Sequence, residues 1–114
     1  MKKTLLTALA LGFVTTASAS IFTDKSLPLR CHEAAMKLDK ARAKMDDEVC
    51  QRNVWGYEFE NAGKKIANNQ NNSAISNLDE ELHDLTYAKT LGCPNQPLIE
   101  WAISEAQSIK KAIS

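Results

Sequence analysis

Three cysteines, two histidines and a methionine one turn from one of those histidines are the side chains of this chain whose types and spacing could support chemistry. Cys31, Cys50 and Cys93 are an odd set, so an oxidising compartment would leave one internal disulfide and one thiol over. On a single continuous helix Cys31 and Cys50 would stand about 28 Å apart, far beyond the roughly 7 Å that bridged Cα atoms allow. A helical hairpin centred near residue 70 instead brings Cys93 to within a turn of Cys50. Cys50–Cys93 is therefore the expected bridge and Cys31 the expected free thiol, with Cys31–Cys93 as the alternative. A free Cys31 would be either an inert half-buried group or the link of a covalent homodimer. It lacks a base for nucleophilic catalysis, because His32 is its sequence neighbour and adjacent side chains on a helix diverge by about 100°.

His32 and Met36, four residues apart on one helix face and close to Cys31, have the soft character that suits Cu(I). His83 and Asp79 repeat that spacing and would suit a divalent ion. Neither set reaches a full ligand complement, and a solvated helix face accounts for each, so no metal site is assigned. The Cys-x-x-Cys-His haem attachment sequence is absent, and the C-terminal helix offers no histidine for a non-covalent haem. Glu58 and Glu60 stand too close along the chain to flank a substrate as a hydrolytic carboxylate pair. No catalytic constellation and no cofactor are expected.

The locally unusual feature is the run Trp55-Gly56-Tyr57-Glu58-Phe59. On a helix, Trp55 and Phe59 share a face and are expected in the core, whereas Tyr57 projects about 160° away toward solvent. Gly56 and Tyr57 are the expected partner-binding residues, since aromatic side chains concentrate binding energy at interfaces.

Those residues need helices to hold them. Apolar positions Leu29, Ala35, Leu38, Ala41, Met45 and Val49 recur every three to four residues, and the stripe continues through Trp55, Phe59, Ala62 and Ile66. Unbroken, it would be a helix of nearly 40 residues, so a kink or turn is expected between Asn53 and Gly56. The polar tract from Asn68 to Ser73 reads as a turn. A helix over 74–91 follows, striped by Ile75, Leu78, Leu82 and Leu85, acidic at its start and closed by Gly92. Pro97 suits the first turn of a last helix over 97–113, striped by Ile99, Ala102, Ala106, Ile109 and Ile113. The expected fold is all-α, a small disulfide-stapled bundle of three long or four shorter antiparallel helices.

Residues 1–19 read as a cleaved export signal, with Lys2 and Lys3 ahead of an apolar stretch and Ala17-Ser18-Ala19 as the cleavage pattern. That leaves 20–114 as a single domain, periplasmic in a bacterium or else extracellular. At 114 residues and 44% hydrophobic, the chain is too short for a barrel or dinucleotide-binding enzyme and has one core at most. Removing Lys2 and Lys3 from 14 basic residues leaves 12 against 14 acidic ones, a charge of about −2. The densest basic run, Lys37, Lys40, Arg42 and Lys44, is interleaved or followed by Asp39, Asp46, Asp47 and Glu48, so neither nucleic acid nor a membrane surface is an expected partner. No segment after the signal is apolar enough for a membrane span. The function expected is a non-enzymatic binding protein with a protein partner, of the inhibitor or immunity kind, acting on a periplasmic toxin or hydrolase. A copper or haem carrier and a structural or stress-related helical protein are the alternatives.

Overall fold

A computed structural model describes the backbone of residues 16–114 and the side chains from Ser26 onward. The first 15 residues of the expected export signal lie outside the described residues. Five helices follow one another: α1 (Thr16–Arg42), α2 (Glu48–Asn53), α3 (Tyr57–Ala67), α4 (Asn71–Leu91) and α5 (Gln96–Ile113). Among the described residues there is no strand, and no helix is long and apolar enough to cross a membrane.

Cross-helix pairs fix the directions. His32 meets Glu60, and the backbones of Ala35 and Pro28 lie against Gly56 and Gly63, so residue numbers rise along α1 as they fall along α3. Asp79–Lys110 and Lys89–Glu100 run the same way between α4 and α5. Arg30–Glu105 and Lys37–Trp101 do so between α1 and α5. The four longer helices therefore form an antiparallel bundle, and α2 is a short connector against α4. Leu27, Cys31, Ala34, Ala35 and Leu38 of α1 face Phe59, Ala62 and Ile66 of α3, Leu78 and Leu85 of α4, and Ile99, Ala106 and Ile109 of α5 in one core.

Two sequence expectations for the first segment are corrected. The long stripe breaks twice, after Arg42 and again at Val54–Gly56, and not only at the second place. Asp47 causes the first break: its carboxylate accepts from the amides of Val49 at 2.8 Å and Cys50 at 3.3 Å, capping a new helix. The run Asp46-Asp47-Glu48 would oppose the dipole at the end of a continuing helix and favours the start of the next. Leu29 is exposed; among the described residues the buried stripe of α1 runs through Leu27, Cys31, Ala34, Ala35 and Leu38.

The later helices end where their sequence signals place them, but α4 starts at Asn71, so only the first part of the polar tract from Asn68 to Ser73 is a turn. Gly92, at φ 73°, ends α4, and the amide of Cys93 donates back to the carbonyl of Ala88 at 3.1 Å. Pro97 lies in the first turn of α5. Cys50 and Cys93 form a disulfide with Cα atoms 5.7 Å apart, tying α2 to the α4–α5 connection.

Candidate functional site

The turn between α2 and α3 alternates outward and inward side chains. Val54 is fully buried, Trp55 is 47% exposed, Gly56 is buried and Tyr57 is 50% exposed. Gly56 is held from two directions. Its amide donates to Asp39 Oδ1 at 2.9 Å, and its Cα packs so closely on α1 that a Cβ would stand 2.5 Å from the carbonyl oxygen of Ala35. With that glycine pinned and Cys50, six residues earlier, covalently bonded to Cys93, the outward rings of Trp55 and Tyr57 project from a fixed base.

The two rings stack, with centroids 4.9 Å apart and planes 28° from parallel. Arg42, the last residue of α1, places its guanidinium carbon 5.3 Å from the Trp55 centroid, while its Nε donates to the carbonyl of Gln51 at 2.8 Å. Gln51 in turn donates through its side-chain amide to the carbonyl of Met45. The outcome is a stacked two-ring platform with a cation over its Trp55 ring. An exposed cation–π contact stabilises by only about 0.5–1 kcal/mol, so its main effect is to orient the indole.

The structure places the two expected contact residues differently. Tyr57 is outward, as its helical angle predicts. Gly56 is buried and cannot touch a partner; it acts by seating the turn on α1. Trp55 is exposed and not core, because it precedes the first residue of α3 and does not share the helical face of Phe59, which is fully buried. Arg42 was not foreseen as part of the surface, since its approach depends on α1 ending where it does.

The other candidate residues are not brought together. Cys31 is fully buried, with its Cβ facing Gly63 of α3, whereas His32 and Met36 are exposed. His32 Nδ1 pairs with Glu60 at 2.9 Å, and Glu58 accepts from Asn77 Nδ2 at 2.5 Å, so the two glutamates are engaged by different helices. Asp79 pairs with Lys110 at 2.7 Å and His83 is exposed beside it. Among the described residues no group of three or more His, Cys, Asp or Glu side chains is placed to hold a metal ion. Burial pushes the Cys31 thiol up to about 12, which keeps it protonated and unreactive at neutral pH. A homodimer bridged through Cys31 gains no support from the folded subunit, in which that side chain is buried.

Comparison of the chain with protein-family models, with curated proteins and with solved structures finds no match.

Proposed function

We propose that this chain is a non-enzymatic protein-binding module, exported to the periplasm, that docks a protein partner on the Trp55–Tyr57 platform and acts there as an inhibitor or immunity protein. The observation that carries this reading is the stacked, half-exposed ring pair on a turn anchored to α1 and α2. Aromatic anchors on a rigid base lose little conformational freedom on binding, which is why such residues dominate interface energetics. The disulfide supports an oxidising compartment.

The test is capture from cell-envelope extract with immobilised protein, followed by calorimetry with the captured partner in purified form. Tyr57→Ala should weaken binding by about 30-fold, corresponding to roughly 2 kcal/mol, while helicity and melting temperature stay unchanged. Trp55→Ala should act in the same direction. Binding that is indifferent to both substitutions, or that falls only in step with loss of fold, rules the platform out.

A further inference from the structure

The buried face of α4 is Ala74, Leu78, Glu81, Leu85 and Ala88, a four-three-four-three spacing that puts a carboxylic acid at the central core position. Glu81 is 0% exposed, and neither of its oxygens has a hydrogen-bonding partner. The backbone amide of Phe59, in the first turn of α3, favours its ionised form but is outweighed by burial and by Asp84. The charged groups acting on it are Asp39 from α1, Glu58 from α3 and Asp84 from α4 itself, all acidic. An ionised Glu81 would therefore be a desolvated charge among like charges.

A neighbouring atom suits the protonated form. Asn77, one turn earlier on α4, commits its Nδ2 to Glu58, which leaves its buried Oδ1 as an acceptor without a donor. A carboxylic acid at Glu81 is a donor four residues away on the same helix, within the reach that such spacing provides.

We propose that Glu81 is a proton-operated latch: protonated, it lets the first turn of α3 close on α4, and ionised, it loosens that turn by releasing its proton to solvent. Burial, aided by Asp84, pushes the Glu81 carboxyl up from 4.5 to about 9. The folded chain then holds a proton that the unfolded chain gives up. The stabilisation is complete below about 4.5 and is lost progressively as pH rises toward 9. Within that window the unfolding equilibrium constant rises by up to tenfold per pH unit. Because Tyr57 is the first residue of α3, loosening reaches the aromatic pair as well.

The experiment needs no partner, so its failure leaves the binding reading standing and the reverse also holds. Unfolding midpoints and amide exchange would be measured on the full chain at pH 5, 7 and 9 for wild type, Glu81→Gln and Glu81→Leu. Carbon NMR would follow the Glu81 carboxyl of the wild type directly. The wild-type unfolding constant should rise at least 100-fold from pH 5 to 9, and the protection of amides 58–62 should fall at least tenfold relative to α5. Both variants should lose most of that dependence, and the carboxyl should titrate well above the ordinary range. Parallel pH profiles in wild type and in whichever variant folds, or a Glu81 carboxyl titrating between about 4 and 5, would overturn the latch; if neither variant folds, the carboxyl titration decides it alone.

Discussion

Replacing Gly56 with alanine is expected to destabilise the bundle by about 3 kcal/mol, the upper part of the range for overpacking. The backbone at Gly56, φ −85° and ψ 9°, is open to alanine, so conformational preference is not the obstacle. Alanine would even stabilise by about 0.4–1 kcal/mol through the unfolded chain if space allowed. Space decides the sign: the new Cβ would meet the carbonyl oxygen, Cα and carbonyl carbon of Ala35 at 2.5, 2.6 and 2.9 Å. These are backbone atoms, so no rotamer change relieves them, and α3 must move off α1. That movement also breaks the 2.9 Å hydrogen bond from the Gly56 amide to Asp39. Urea denaturation should show the midpoint reduced by more than about 1 M with little change in slope. Trimming the opposing side chain, as Ala35→Gly in the Gly56→Ala background, should give no rescue. An unchanged or raised midpoint for Gly56→Ala would show that the two helices are less tightly seated than this contact implies.

Removal of the Cys50–Cys93 disulfide by the paired change to serine is expected to have the largest effect, about 4 kcal/mol, from opening a loop with a sequence separation of 43. For a domain of this size that corresponds to a melting temperature lower by roughly 15 °C or more. The loss should fall on α2 and the turn it carries, since α2 is short and its buried side chain is Cys50 itself. Thermal unfolding by circular dichroism, with and without reductant, checks it: reductant should lower the wild-type transition and leave the paired variant unmoved. A wild-type transition indifferent to full reduction would contradict the assigned role. Cys31 should not exchange with the bridge in the folded state, since its sulfur is buried and protonated.

The α4–α5 hairpin and the disulfide were legible in the sequence because each depends on local chemistry or on simple geometry. Gly92 ends one helix, Pro97 opens the next, and their lengths carry Cys93 back beside Cys50. The break after Arg42 was written there too, in the Asp47 cap, but apolar spacing across it continued without interruption and masked it. Glu81 was hidden by its neighbours: in Asp79-Glu80-Glu81 three acidic residues read as a charged stretch near the start of the helix, and only the set 74, 78, 81, 85 and 88 reveals that the third lies on the core face. The position of Gly56 could not be read, because the need for a missing side chain arises from Ala35, a residue 21 positions away. Exposure of Trp55 follows from where α3 begins, which is a property of the turn and not of the aromatic run.

The disulfide also divides the molecule under mechanical load. Since α1 and α5 are antiparallel neighbours, the start of the described α1 core and the chain's C-terminus lie at the same end of the bundle, where Arg30 grips Glu105 at 2.7 Å. Tension applied across those two points would peel α1 from α5 in succession, loading Arg30–Glu105 before Lys37–Trp101, instead of shearing the whole contact at once. When the peeling reaches Cys50 the force passes through the sulfur bridge to Cys93, and every residue between them is shielded from further extension. A motor or translocase pulling on this protein would meet a zipper at one end and a closed covalent ring beyond it.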